Sequence, residues 1–239
     1  MRNVVWLAVA DGHQQKYARE FFKSCGVVIE GYDVDGTPRR PASNLDGFAI
    51  KVIRPQDMPA QVANGHFDLA ITGDDWLVDH CYQFPRTPVK KLLNLGFAGV
   101  RICAIVHNDL GVRTVDEFTA KFSGGGLPFP FIRIASEYVN IADHFACAHH
   151  FHRYKVIPTS GSTEAYLPED ADMIIENSET GRTLIENNLS IIEVLFRSAA
   201  CLIANTTSLR DGRKKRRIRD FVSMCESVLK NEKAKGAVS

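Results

Sequence analysis

A chain of 239 residues fits one large α/β domain or two lobes of about 100 residues each, and it needs no stapling to bury a core. With 45% apolar, 24% charged and 9% aromatic residues and a formal net charge of +1, it excludes a global attraction to nucleic acid or to a membrane surface, so any electrostatic recognition must be local. Six widely spaced cysteines without a CxxC pair, several inside apolar runs such as RICAIV and AACLIAN, read as buried thiols. The start MRNVVWLAVADG lacks a signal-peptide cleavage pattern, and no run approaches the roughly 18 apolar residues of a membrane span. The expected setting is reducing and cytoplasmic.

Taken in chain order, short β-branched runs alternate with helical patterns. VVWLAVA is followed by a helix through QQKYAREFFKSC, FAIKVIR by DMPAQVANG, and FDLAITG by DDWLVDHC. This alternation predicts parallel β-α-β units in a sheet buried on both faces. VRICAIV then precedes TVDEFTAKF, where Thr114 and Glu117 have capping-box spacing, and the glycine- and proline-rich segment 123–130 is a loop before the strand FIRIASE. His144, His149, His150 and His152 with Cys147 invite a zinc reading, but the segment bridges a helix and a strand, and no directly ligated metal is assigned. HRYKVIPTS and ADMIIEN supply two more strands, after which LIENNL and SIIEVLFRSAACLIAN return to apolar structure. The tail carries RKKRRIR (Arg213 to Arg219), and Ile218, Phe221, Val222, Cys225, Val228 and Leu229 recur at helical spacing, so the basic residues form the wet face of a docking helix.

The segment ENSETGRTL (Glu176 to Leu184) carries the chemistry. A turn between a strand and a short helix leaves backbone N–H groups without partners, and the helix dipole favours an anion there. Gly181 permits close approach, Thr180 and Thr183 add hydroxyl donors, and Arg182 adds a charge. Thr183 with Glu186 also fits a capping box. Asp172, Glu176 and Glu179 are placed to hold water around a hard cation brought by a phosphorylated ligand, or to balance charge on a sugar. An apolar strand, acids and then Thr-Gly-x-Thr suits an enzyme that grips the 5-phosphate of a phosphoribosyl group.

At this point the sequence resembles the catalytic subunit of ATP phosphoribosyltransferase over roughly residues 4–209. The matching stretches are IRPQDMPAQVANGHFDLAITGDDWL, LLNLGFAGVRICAIV, IRIASEYVNIADHF, SGSTEAYLPEDAD, ADMIIENSETGRTLIENNL and FRSAACLIANTTSL. The resemblance implies an α/β, two-lobed fold similar to type II periplasmic binding proteins, with the active site in the inter-lobe cleft. Lobe I takes 1–102 plus 186–239, and lobe II takes 103–185. About 30 residues follow the matching region, which resembles the short form, expected as a homodimer with a regulatory subunit similar to histidyl-tRNA synthetase. The implied reaction moves the phosphoribosyl group of phosphoribosyl pyrophosphate (PRPP) to N1 of ATP, with Mg²⁺, as the first step of histidine biosynthesis.

By the same resemblance Glu179, Thr180, Gly181, Arg182, Thr183, Leu184 and Glu164 bind PRPP. Glu176 lies beneath the ribose, and Arg54 and Arg101 face the pyrophosphate or the acceptor, with Asp57 and Pro59 in the segment of Arg54. Asp11, Gly12, His13, Thr72, Gly73 and Asp75 line the acceptor side. Two departures stand out. Asp11 and His13 replace basic residues of the family, which leaves open a less anionic nitrogen heterocycle as acceptor, or a non-catalytic binding module of the same fold. Glu176 replaces an aspartate, and Asn177 and Ser178 replace an apolar pair.

Overall fold

The structure is a computed structural model that describes residues 3–32, 37–123 and 130–236. Its elements run β1 (Val5–Ala10), α1 (Gln15–Ser24), β2 (Phe48–Ile53), α2 (Met58–Ala63), β3 (Leu69–Gly73), α3 (Asp74–Gln83), β4 (Val89–Asn94) and β5 (Val100–His107). They continue with α4 (Val115–Ser123), β6 (Ile132–Ser136), α5 (Val139–Ala148), β7 (Tyr154–Pro158), β8 (Met173–Ser178), α6 (Arg182–Glu186), β9 (Leu189–Ser198), β10 (Ala200–Asn205), α7 (Thr206–Arg210) and α8 (Lys215–Gly236). Short 3₁₀ turns lie at Gly12–Gln14, Pro55–Asp57 and Thr163–Tyr166.

The chain divides into two units, 1–77 with 84–98 and 199–239, and 78–83 with 99–198. The boundaries differ from the expected 102/103 and 185/186 because β5 pairs with β9 from Val100↔Ser198 to His107↔Leu189, which holds both strands in the second unit. The first sheet has the order β2-β1-β3-β10-β4 and the second β7-β6-β8-β5-β9. In each, three strands are parallel, as the β-α-β alternation predicts. The sheets also hold antiparallel strands that the alternation does not signal. β10 runs antiparallel to β3 and β4, and β5 runs antiparallel to β8 and β9, so both sheets are mixed.

In the first unit the apolar faces of β1, β2, β3 and β10 bury Leu7, Val9, Ile50, Leu69 and Leu202, and α1 adds Ala18, Phe21 and Phe22. Burial of such side chains on both faces of β1 drives the central pairing. Helix α8 docks by Ile218, Phe221 and Cys225, as its periodicity predicts. Lys214 departs from the wet-face reading: its Nζ lies 2.8 and 2.9 Å from the buried Asp68 carboxylate, which also accepts from Trp6 N at 2.8 Å and from the Ser208 hydroxyl. In the second unit Cys103, Ile105, Ile174, Leu184 and Leu189 share a core, and Asp79 of α3 caps α5 by accepting from the Asn140 and Ile141 amides at 2.9 Å.

Three local expectations fare differently. Thr114 caps α4 by accepting from Glu117 N at 3.2 Å, while the Glu117 carboxylate accepts from Arg113 N at 2.7 Å. Cys103, Cys201 and Cys225 are buried, but Cys147 is exposed at the end of α5, its thiol 3.1 Å from the Tyr154 hydroxyl. The loop expected over 123–130 falls, at 124–129, outside the described residues.

Candidate active site

In each sheet the second parallel strand lies on one side of the first and the third on the other. β2 and β3 flank β1, and β7 and β8 flank β6. Such a reversal opens a crevice at the carboxyl ends of the strands, where α/β folds bind ligands. The predicted residues gather at those two edges. Asp11, Gly12 and His13 follow β1, Arg54 follows β2, and Thr72, Gly73 and Asp75 end β3 and begin α3. Glu176 lies near the end of β8, residues 179–181 follow that strand, and Glu164 sits in the turn after β7.

The turn after β8 is built on Gly181, whose φ of +78° is a left-handed conformation that glycine adopts without strain. Glu179, Thr180, Arg182 and Thr183 are exposed, and the Arg182 amide points to Thr180 Oγ1 at 3.4 Å. The capping box expected of Thr183 and Glu186 is absent. Gly181 is the N-cap of α6, and Glu186 instead pairs with Arg182 at 2.8 Å on the outer face. Leu184 packs into the core beside Ile105 and Leu189, so its side chain anchors the turn and any contact with ligand is through its backbone.

Arg101 belongs with this turn. It stands opposite Ser178 in the β5–β8 pairing, and its Nη2 lies 3.8 Å from the place a Gly181 side chain would occupy. Arg54, in the first unit, is exposed after β2.

Glu176 is pushed up to about 7, foremost because burial penalises its charge, and further because Glu137 and Glu164 are near. The Asn177 amide, at 2.8 Å from Oε1, and the Thr163 hydroxyl oppose that rise. Asn177 Nδ2 also donates to Oε1 at 2.7 Å and to Tyr138 Oη at 3.3 Å, fixing the carboxylate's orientation. Glu137, which follows β6, accepts from the Gly161 amide; Gly161 and Ser162 are both left-handed, the geometry of the Gly-Ser-x-Glu turn that carries Glu164.

In the first unit Asp11 is engaged by Arg39, Nη1 to Oδ2 2.6 Å, so a cation from a separate segment stands at the place where the acidic residue replaces a basic one. His13 rests edge-on against Tyr17. The Thr72 hydroxyl donates to the Pro55 carbonyl at 2.8 Å and is wholly buried, which makes it a support of the Arg54–Pro55 turn. A side chain at Gly73 would put its Cβ 2.0 Å from Asp75 Oδ1, so glycine is required for the buried Asp75 to fold back over the strand end.

Asp172 lies at the opposite end of β8, in a buried pair with Arg133 at 2.9 Å, and takes no part in the site. The histidines of 144–152 serve separate contacts: His144 stacks on Tyr82 with ring centres 4.0 Å apart, and His149 meets Glu193 at 3.3 Å. Among the described residues no three His, Cys, Asp or Glu side chains gather as metal ligands. Sequence reasoning missed Glu137, Thr163 and Arg39. An acid directly after the strand FIRIAS is a signal that finds Glu137, whereas nothing local marks Arg39.

The sequence profile of the ATP phosphoribosyltransferase family matches residues 54–227. An ATP phosphoribosyltransferase of Thermodesulfovibrio yellowstonii is 25% identical over 233 residues, covering 98% of this chain and 75% of the relative. One from Rhodopseudomonas palustris is 29% identical over 201 residues, covering 81% of this chain and 61% of the relative. Among solved structures, the ATP phosphoribosyl transferase (HisG:HisZ) complex from Thermotoga maritima superposes with a TM-score of 0.72 at 23% identity, over 95% of this chain and 100% of that one. The arginine-bound form of ArgBP from T. maritima gives 0.53 at 11% identity, over 96% of each chain, a likeness of fold. With the profile spanning most of the chain, this chain belongs to the ATP phosphoribosyltransferase family.

Proposed function

We propose that this chain transfers the phosphoribosyl group of PRPP to N1 of ATP, giving phosphoribosyl-ATP and pyrophosphate, the first step of histidine biosynthesis. The observation that carries the reading is the exposed Thr180–Thr183 turn, with Arg101 at its base, next to a carboxylate held in one orientation at the same strand end. The turn offers amide and hydroxyl donors to the 5-phosphate. Glu176, ionised, tolerates positive character at the anomeric carbon as pyrophosphate departs, and N1 of adenine takes its place. Arg54 and Arg39, on the first unit's sheet edge, supply cations for the phosphates of the acceptor or the leaving group.

Mg²⁺ is proposed to arrive with the pyrophosphate, whose charge it screens. It is held mainly by substrate phosphates and water, because this ion takes few protein carboxylates. The chain is proposed to act as a homodimer in the cytoplasm with a regulatory subunit similar to histidyl-tRNA synthetase. Support for a second subunit comes from the solved HisG:HisZ complex, a two-component assembly; no helix among the described residues is long and apolar enough to cross a membrane. Incubation with PRPP, Mg²⁺ and a panel of nucleotides and free bases, with products identified by mass, tests the reading. Phosphoribosyl-ATP is the expected product. A product formed only with another heterocycle would replace the acceptor, and PRPP binding without any product would favour a binding module.

A further inference from the structure

Among the described residues two buried side-chain polar atoms lack a hydrogen-bond partner, Gln14 Oε1 and Ser178 Oγ. Ser178 closes β8 and is 7% exposed. Buried hydroxyls at the neighbouring strand ends are occupied: Ser136 Oγ donates to the Ile175 carbonyl at 2.6 Å, and Thr163 shares a bond with Thr159 at 2.9 Å. A buried hydroxyl that has surrendered water without gaining a partner is costly, and such an atom calls for an explanation.

The space in front of it supplies one. A side chain on Gly181 would place its Cβ 4.0 Å from Ser178 Oγ and 3.8 Å from Arg101 Nη2, with no other heavy atom nearer. The place that the absent side chain leaves is therefore neighboured by a guanidinium nitrogen and an idle hydroxyl. Both are hydrogen-bond donors. An apolar group gains nothing there, and an amine meets a like charge; a phosphoryl oxygen is matched by both at once. Ser178 and Arg101 are also register partners in the β5–β8 ladder, so sheet pairing places the two donors side by side.

We infer that Ser178 is a further substrate-binding residue: when the turn tightens over PRPP, its hydroxyl donates to a non-bridging oxygen of the 5-phosphate, beside the Arg101 guanidinium. The inference rests on the PRPP reading above. It makes the strand end, as well as the exposed Thr180 and Thr183, responsible for recognising a phosphorylated ribose.

The test compares Ser178→Ala and Ser178→Thr with the unaltered chain, by calorimetric titration with PRPP and Mg²⁺ and by steady-state turnover with ATP. Ser178→Ala is expected to raise the Kd and KM for PRPP about ten- to a hundredfold, the loss of one hydrogen bond to a charged group. The KM for ATP should stay unchanged, kcat should change less than about twofold, and Tm should hold or rise, because no bond within the free protein is lost. Ser178→Thr should restore binding. An unchanged Kd for PRPP in a folded Ser178→Ala, or a fall in Tm with a parallel fall in kcat, overturns the inference. Unaltered protein that binds PRPP but makes no product with ATP sinks the acceptor reading alone, and unaltered protein that binds no PRPP sinks both.

Discussion

Glu176 is held between two opposing influences, burial that favours the neutral acid and hydrogen bonds that favour the carboxylate, with burial ahead. Because its folded pKa stands near 7 and its unfolded value near 4.5, the folded state binds the extra proton between those pH values. Its stabilising contribution is therefore fully present below about 4.5 and is lost as pH rises through about 7. Glu176→Gln should flatten that decline and raise stability at pH 8 by ~1–3 kcal/mol, read by urea denaturation at several pH values. Turnover should move the other way. With an ionised carboxylate required, kcat/KM for PRPP should climb through pH 7 and level off above it, and the variant should lose most of its rate together with that limb. Thr180→Ala combined with Thr183→Ala should raise the KM for PRPP at least about tenfold with little change for ATP; an unchanged KM would refute the turn as the phosphate site. At this scale the donors of the turn were legible because hydroxyls and glycine after a strand have a chemical meaning by themselves. Ser178 and Arg39 were not, since an unpaired hydroxyl and a cation 28 positions from its partner are properties of the folded chain.

Strand direction decided which acids count. Asp172 and Glu176 are four residues apart, and both were read as charges for a metal or a sugar. β8 runs from one to the other at ~3.3 Å per residue, so only the downstream acid reaches the binding edge. Asp172→Ala should accordingly destabilise the protein by ~3–5 kcal/mol, by stranding the buried Arg133, while leaving the KM for PRPP of the folded fraction unchanged; a shift in that KM would return Asp172 to the site. Gly181→Ala should cost ~1–2 kcal/mol from the left-handed φ alone, since its Cβ meets nothing closer than 3.8 Å. The parallel strands were legible from β-branched runs between helical patterns. β4 was not, because VKKLLN sets Lys90 and Lys91 on an exposed sheet edge where lysine discourages further pairing, which masks the strand's apolar signal. The antiparallel partners were equally hidden, since pairing direction depends on how the chain returns and not on the residues of the strand.

Two sheets with the same switch in strand order give the molecule two binding edges, and the resemblance over most of the chain made that architecture available before any coordinates. The point where one unit ends and the other resumes was placed some dozen residues early, because SIIEVLFRSAACLIAN reads as one apolar stretch although it is split at Ala199 between β9 and β10. With a net charge of only +1, nothing in the bulk electrostatics opposes self-association. Sedimentation should find a species of two chains, and addition of a histidyl-tRNA-synthetase-like subunit should shift it to larger mass. A single-chain species unmoved by that addition would argue against both assembly proposals.

Asp68 bears on how the protein tolerates being shortened. Its carboxylate ties the start of β1 to Ser208 and to Lys214, just ahead of α8, from a position that water hardly reaches. Proteolytic clipping or a stop codon upstream of residue 214 would leave an acid buried without its counter-ion, so the tail segment is an integral brace of the first unit and not a detachable appendage.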